Sequence, residues 1–153
     1  MTRFEAKDPE FETRIRESFV RQKVMVLIGA RLGRVAPGRV EIELPFRDDL
    51  TQQHGFFHAG IVGTIADSAG GYAGYTLMPA GTSVLSVEYK INLMAPAEGE
   101  RLVASGQVVR SGRTLTVCDL EVMVFKDGAG SLCARGMQTL ICLERQPRGA
   151  AAG

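Results

Sequence analysis

The sequence contains no tryptophan, only two histidines and three cysteines, and no long uninterrupted apolar run. Cys118, Cys133 and Cys142 are widely spaced and form no CxxC pair, so we expect buried thiols in a reducing compartment. So few histidines and cysteines also make a His/Cys zinc site unexpected. No stretch reaches the roughly 18 apolar residues of a transmembrane helix, and the N-terminus lacks the apolar core of a secretory signal. We therefore expect a cytoplasmic protein with no membrane partner.

A strong charge of one sign is also absent. Eighteen lysines and arginines against 17 aspartates and glutamates leave a formal net charge of +1. This balance argues against a general nucleic-acid binder, which normally carries a basic excess or stripe. The 153 residues are 45% hydrophobic and 23% charged, which is typical of one globular domain. We expect a single domain over residues 1–153 that needs no metal or disulfide for stability.

Glycine, in contrast, is plentiful. The chain has 18 glycines, and five of them lie within residues 59–77, AGIVGTIADSAGGYAGYTL. Each glycine lowers helix stability by roughly 0.5–1 kcal/mol relative to alanine. The segment is nevertheless long and apolar, and predicted strands flank it. We interpret it as a central helix whose small residues allow a curved sheet to approach closely.

The rest of the chain predicts helix first and strands later. Residues 9–28 have apolar side chains near helical spacing, so residues 1–28 are expected to form an N-terminal helical segment. Strands are predicted over residues 39–45, 83–93, 101–110, 114–126 and 131–143, and a loop over residues 48–57. The last four have short connections, which predict an antiparallel meander with the first strand as a fifth member. The tail, residues 146–153, is expected to be flexible.

Two dipeptides between the predicted strands are typical of hairpin turns. They are Ser111-Gly112 and Asp127-Gly128, in which glycine would supply the positive φ that a tight turn needs. They therefore support antiparallel pairing of the strands on either side.

One charged residue interrupts the apolar central helix. Asp67 has no lysine or arginine within one helical turn, and burial of an isolated carboxylate is prohibitive unless it is paired, solvated or protonated. Exposure to water, or hydrogen bonds from hydroxyls such as Thr64 or Ser68, is the alternative explanation. We favour a functional carboxyl that lines a cleft.

These residues resemble a known pattern. His58-Ala59-Gly60, the apolar run to Asp67 and the following Ser68-Ala69 are similar to the HGG…D signature of hotdog-fold acyl-CoA thioesterases. The resemblance is to the PaaI-like (phenylacetate-pathway) branch of the 4-hydroxybenzoyl-CoA thioesterase superfamily. Two further blocks support it: residues 85–96, LSVEYKINLMAP, and residues 108–115, VVRSGRTL. Together the blocks lie within residues 38–143, most of the chain.

The resemblance implies a hotdog fold of class α+β, in which an antiparallel sheet of five to six strands wraps around a central helix. It also implies a homodimer, or a dimer of dimers, with active sites at the subunit interface. The reaction it implies is hydrolysis of acyl-CoA thioesters to free acid and CoA. No cofactor or metal is implied beyond the coenzyme A of the substrate.

The resemblance further implies a catalytic set: Gln52, His58, Ala59, Asp67 and Ser86. The Ala59 N–H, at the start of the helix, would stabilise the oxyanion, although the family has glycine there. Asp67 would act as general base or as nucleophile, and the two roles stay open. It lies eight residues along the helix from Ala59, about 12 Å at 1.5 Å per residue, so it would serve the site of the opposite subunit.

The other three catalytic candidates would position the reacting groups. Gln52 would orient the carbonyl or the water, with Gln53 as the alternative in the adjacent register. Ser86 would hydrogen-bond near the carboxylate or the water. His58 would hold the loop and the helix start rather than act as a base.

Substrate binding is assigned to the helix start, an aromatic residue and a basic hairpin. The phosphates of coenzyme A call for basic side chains at the mouth of the cleft, while aromatic residues would suit an aryl or medium-length acyl group. The candidates are Phe57, Gly60, Lys90, Arg110, Ser111, Gly112 and Arg113.

Two other functions remain open from the sequence. A hotdog dehydratase or hydratase acting on acyl-carrier-protein or CoA substrates would use His58 together with a carboxylate. A non-catalytic acyl-CoA-binding module would keep the fold and bind the ligand without turnover.

Overall fold

The computed structural model describes residues 3–144. The helices in this range are α1 (Phe11–Arg21), α2 (Lys23–Ile28), a short 3-10 helix (Asp48–Leu50) and α3 (Ala59–Tyr75). The strands are β1 (Arg31–Ala36), β2 (Arg39–Pro45), β3 (Thr82–Leu93), β4 (Arg101–Ser111), β5 (Leu115–Lys126) and β6 (Ala129–Glu144). The predicted tail, residues 146–153, lies outside the described residues. None of the helices just named is both long enough and apolar enough to cross a membrane.

All six strands join one antiparallel sheet in the order β1-β2-β4-β5-β6-β3. The concave face of this sheet wraps around α3, which packs against β2, β3, β4, β5 and β6. The core-facing positions of the central strands are apolar, and Leu102, Leu120 and Leu140 are fully buried against the helix. The predicted α+β architecture, an antiparallel sheet around a central helix, is confirmed.

Small residues on both elements allow the helix to lie close to the sheet. A Cβ atom at Gly74 of α3 would overlap with Leu140 Cδ1 of β6. A Cβ atom at Gly106 of β4 would overlap with the carbonyl oxygen of Ala69 in α3. Glycine is therefore required here by close approach, as the sequence predicts.

The predicted meander is wrong at one strand. β3 pairs with β6 at the edge of the sheet, so it lies three positions away from β4. The connection, residues 94–100, crosses the end of the sheet, where Phe57 N–H before α3 donates to Ala97 O at 3.0 Å. Seven residues reach roughly 23 Å, whereas three strand spacings need only about 14 Å. A short connection therefore did not require neighbouring strands.

The N-terminal segment also differs from the prediction. Its helix is interrupted at Gln22, which has extended backbone (ψ 94°), so that α1 and α2 are separate helices. Strand β1, absent from the prediction, pairs with β2 at the other edge of the sheet. Its sequence, RLGRVA, lacks strict alternation of apolar and polar residues, and no side chain in it is fully buried. Edge pairing, rather than burial, holds this strand.

One of the two predicted hairpin glycines has a different role. Gly128 has φ 79° and Asp127 has φ 50°, which confirms the tight turn between β5 and β6. Gly112 is not among the residues with positive φ. Its N–H donates to Leu115 O at 2.8 Å, and a Cβ atom would lie 2.9 Å from that oxygen. Glycine is needed at 112 for space and not for a left-handed backbone.

Arg14 fixes α1 against the C-terminal end of α3. Its guanidinium donates to Tyr75 O at 3.2 Å, Met78 O at 2.9 Å and Pro79 O at 2.9 Å, and it forms an ion pair with Asp8 at 3.2 Å. A cation at this position also complements the negative end of the helix dipole. The contact holds α1 beside the second half of α3.

Candidate active site

The N-terminal end of α3 presents an unpaired backbone donor. His58 caps the helix: its Nδ1 accepts a hydrogen bond from Gly60 N–H at 2.8 Å, and its own N–H donates to Leu50 O at 3.0 Å. His58 thus holds the loop and the helix start together. Among the described residues, Ala59 N–H has no hydrogen-bond partner, and the positive end of the helix dipole lies beside it. An oxyanion would be stabilised at this point.

Gln52 lies beside this donor. Its side chain lines the same cavity as Ala59, whereas Gln53 is exposed and does not line it. The Gln52 Oε1 accepts a hydrogen bond from His54 N–H, which leaves the Nε2 hydrogens to donate elsewhere. Of the two adjacent glutamines, the structure places Gln52 next to Ala59.

The cavity that contains Gln52 and Ala59 has a volume of about 400 Å³. Its other walls are mainly apolar, and Phe56, Phe57 and Cys133 contribute to them. Burial raises the pKa of Cys133 to about 11, so this thiol stays protonated at neutral pH and is not a nucleophile. The cavity therefore combines an apolar surface with amide donors from Gln52 and Ala59.

Asp67 lies in the middle of α3, on the wall of a second cavity of about 180 Å³. Ser86 Oγ, on β3, donates to Asp67 Oδ1 at 2.6 Å. Thr64 and Ser68 do not bind this carboxylate, because Thr64 donates to a backbone carbonyl and Ser68 donates to Gln22 Oε1. The partly buried carboxylate thus lines a cleft, in the position that the sequence favours.

The second cavity is also lined by Ser18 of α1 and by Gln22, which follows that helix. The break in the helix at Gln22 lets its side chain reach α3, where it accepts a hydrogen bond from Ser68. Tyr72 Oη lies 3.3 Å from Ser18 Oγ. Burial raises the pKa of Tyr72, so its phenol stays neutral and can donate a hydrogen bond in the cavity wall.

The sequence analysis missed one residue that contacts Asp67. Gln138, on β6, is 1% exposed, and its Nε2 lies 2.5 Å from Asp67 Oδ1 and 2.9 Å from Ser86 Oγ. A signal was available, because Gln138 occupies a core-facing position of a predicted strand, two residues before buried Leu140. A polar residue at such a position needs a buried partner. The sequence did not show which residue that partner would be.

The two cavities lie on different parts of α3. Eight residues along the helix separate Asp67 from Ala59, which corresponds to about 12 Å. This distance is too long for both groups to act on one carbonyl within a single chain.

The candidates for substrate binding divide into two groups. Phe57 lies in the wall of the first cavity, whereas Gly60 does not line it and its N–H donates to His58 Nδ1. Five other candidates are exposed and line neither of these two cavities: Lys90, Arg110, Ser111, Gly112 and Arg113. The single chain does not bring this basic group to the catalytic candidates.

An antiparallel sheet that wraps around a central helix is the hotdog fold. In this protein a carboxylate on that helix also faces a cavity, as in an enzyme of this fold. A family model for the thioesterase superfamily matches residues 54–131, which include both His58 and Asp67. This chain belongs to the thioesterase superfamily, and its reaction is the hydrolysis of thioesters.

Individual proteins agree with this membership. The crystal structure of a thioesterase family protein from Silicibacter pomeroyi is 47% identical, with a TM-score of 0.87 over 88% of this chain and 99% of that one. Acyl-coenzyme A thioesterase 13 of Homo sapiens is 30% identical over 105 residues, 68% of this chain and 73% of that protein. The PaaI protein of the E. coli phenylacetic acid degradation operon is 16% identical and shares the fold, with a TM-score of 0.75 over 86% of this chain and 92% of that one. The family resemblance drawn from the sequence is therefore confirmed.

Proposed function

We propose that this protein hydrolyses acyl-CoA thioesters to free acid and CoA as a homodimer. Gln52 and Ala59 of one subunit and Asp67 of the partner subunit would form each site. The observation that carries the proposal is the Asp67 carboxylate, presented to a cavity by Ser86 and lying too far from Ala59 of its own chain. The human relative, an acyl-coenzyme A thioesterase, supports the choice of substrate class.

In this mechanism the thioester oxygen accepts hydrogen bonds from Ala59 N–H and Gln52 Nε2. Both donors stabilise the negative charge that develops on this oxygen as the carbonyl carbon becomes tetrahedral. The Cβ of Ala59 leaves the backbone donor in place. Loss of one such donor typically lowers the rate by about 10²–10³.

Asp67 supplies the basic group. As general base it takes a proton from the water that attacks the carbonyl carbon, and the C–S bond then breaks to release CoA. As nucleophile it attacks the carbon itself, and water hydrolyses the resulting anhydride. Both routes consume one water and yield one acid and one thiol, and neither needs a cofactor or a metal.

The outer edge of the sheet supports assembly of a homodimer through β3. Within residues 3–144, this edge strand pairs with another strand on one side only. It also exposes Leu85 (56%), Val87 (57%) and Leu93 (55%) in the single chain. An exposed apolar edge strand is a template for pairing with another chain. We also propose that Arg110, Arg113 and Lys90, which are exposed, contact the CoA phosphates, whose negative charges call for basic side chains.

The apolar cavity beside Ala59 supports an acyl group of aryl or medium size. Its volume is about 400 Å³, and Phe56 and Phe57 form part of its wall. Most side chains that line the cavity beside Asp67 are polar instead. All three cysteines are free thiols, which supports the expected cytoplasmic location.

The proposal is tested by thiol release from a panel of aryl-, short- and long-chain acyl-CoAs. Asp67→Asn should lower kcat by about 10²–10⁴, the usual contribution of general acid–base catalysis. Asp119→Asn, on β5 and away from both cavities, is the matched control and should retain wild-type kcat. Thiol release that is absent in wild type, or equal in Asp67→Asn, would refute the proposal. A stable monomer with full activity would refute the shared site.

A further inference from the structure

Gln138 is the polar side chain that projects from β6 into the apolar core beneath α3. It is 1% exposed, and β3 residue Tyr89 and β5 residue Cys118 flank it in the sheet. Its Oε1 is buried and has no hydrogen-bond partner among the described residues. An unpaired buried acceptor lowers stability, so packing alone does not favour an amide over a hydrophobic residue of the same size. A role other than packing explains why an amide occupies this position.

The other end of the same amide is fully engaged. Gln138 Nε2 lies 2.5 Å from Asp67 Oδ1, 2.9 Å from Ser86 Oγ and 3.1 Å from the Asp67 carbonyl oxygen. Ser86 Oγ also donates to Asp67 Oδ1, at 2.6 Å. Two donors therefore converge on Oδ1, whereas Asp67 Oδ2 has no hydrogen-bond partner among residues 3–144.

The hydrogen-bond partners favour only one orientation of this amide. Its Oε1 lies against Gly70 of α3, where a Cβ atom would overlap with it. Rotating the amide by 180° would exchange Oε1 and Nε2 and place an acceptor against the Asp67 carboxylate, where both atoms carry lone pairs. Glycine at position 70 thus leaves space for the amide, and the carboxylate at position 67 determines which end of the amide is turned toward it.

We propose that Gln138 is a positioning residue for the reaction of Asp67. It holds Oδ1 against the sheet, so that Oδ2 is the oxygen left to face the cavity and to take the proton of water or attack the thioester. A neutral amide neither accepts nor releases a proton near neutral pH, so Gln138 acts through Asp67 and not on the substrate. The inference rests on the proposed hydrolase function of Asp67.

The test is Gln138→Met, assayed for kcat, KM and melting temperature in the intact protein. Methionine has a similar length; it removes the unpaired Oε1, which favours the fold, and also the hydrogen bonds to Asp67, which opposes it, so the melting temperature should change little. Loss of a hydrogen bond to a charged group should lower kcat about 10- to 100-fold while KM stays within about twofold. Gln107→Met, on β4, is the matched control, because Gln107 also donates to a backbone carbonyl but lines neither cavity described above.

Gln138→Glu is the second variant, for the case in which methionine disturbs folding. It keeps the shape of the side chain but replaces the donor by an acceptor, so kcat should fall at least as far as in Gln138→Met. A lower kcat with unchanged KM, in a variant that is folded at the assay temperature, supports positioning. Unchanged kcat in either folded variant overturns the inference and leaves the thioesterase proposal intact, provided that Asp67→Asn is inactive. Absence of activity in the wild type overturns both.

Discussion

Adjacent glycines of α3 should respond in opposite ways to the same substitution. Gly70 faces the sheet, where a Cβ atom would overlap with Gln138 Oε1 and lie 2.5 Å from Leu120 Cδ2. Gly71 faces the cavity beside Asp67, and its Cβ atom would have no neighbour within 4 Å. We therefore expect Gly70→Ala to destabilise the protein and Gly71→Ala to stabilise it.

The magnitudes follow from two opposing effects. Alanine gains roughly 0.5–1 kcal/mol over glycine inside a helix. Overpacking of a core position costs about 1–3 kcal/mol. At Gly71 only the first effect acts, so the melting temperature should rise by about 1–4 °C. At Gly70 both act, which leaves a net loss of up to about 2.5 kcal/mol and a melting temperature lower by up to about 10 °C.

Calorimetry or thermal unfolding by circular dichroism measures both shifts, at one protein concentration because assembly affects the melting temperature. Gly70→Ala should also lower kcat, since the new methyl group displaces the Gln138 amide. If both variants shift the melting temperature in the same direction, the close approach of helix and sheet at Gly70 is not what the structure indicates.

Two further predictions concern the helix start and the buried thiols. His58→Asn should retain hydrolysis and stability because asparagine also caps a helix, whereas His58→Ala should lose about 1 kcal/mol of stability; loss of activity in His58→Asn would favour the dehydratase class instead. Burial raises the pKa of Cys118 from 9.0 to about 12, so the unfolded thiol ionises first as pH rises. The stability that this thiol contributes is complete below pH 9 and is lost as the pH rises from about 9 to about 12. The melting temperature should therefore fall less steeply between about pH 9 and about pH 12 in Cys118→Ala than in the wild type. Equal slopes in the two proteins would contradict this account.

Periodicity and composition predicted the elements that bury a regular face. The strands over residues 101–110 and 114–126 alternate apolar and polar side chains, and the structure places them at nearly the same bounds. Strand β1 escaped prediction because it is held by edge hydrogen bonds and leaves no burial pattern in its sequence. The order of β3 escaped prediction because strand pairing depends on long-range contacts, which a connection of seven residues does not specify.

The candidate site, too, has residues that the sequence identified and residues that only the structure connected. Asp67 was visible in the sequence because a lone carboxylate in an apolar helix needs an explanation wherever the helix packs. Gln138 was not connected to it, because 71 residues separate the two and only the wrapping of β6 around α3 brings them together. The assignment of Arg110 and Arg113 to the CoA phosphates stays a prediction, since neither residue lines either cavity.

By itself, the sequence predicted the α+β class of this fold, its glycine-rich central helix and the carboxylate at the middle of that helix. It could do so because glycine content, apolar periodicity and an unpaired charge are local properties of the chain. The tertiary structure alone decided which donors orient that carboxylate and which oxygen remains free, since Ser86 and Gln138 come from strands β3 and β6. Hydrogen bonds form only within about 3 Å, and a single folded arrangement of the sheet provides that proximity.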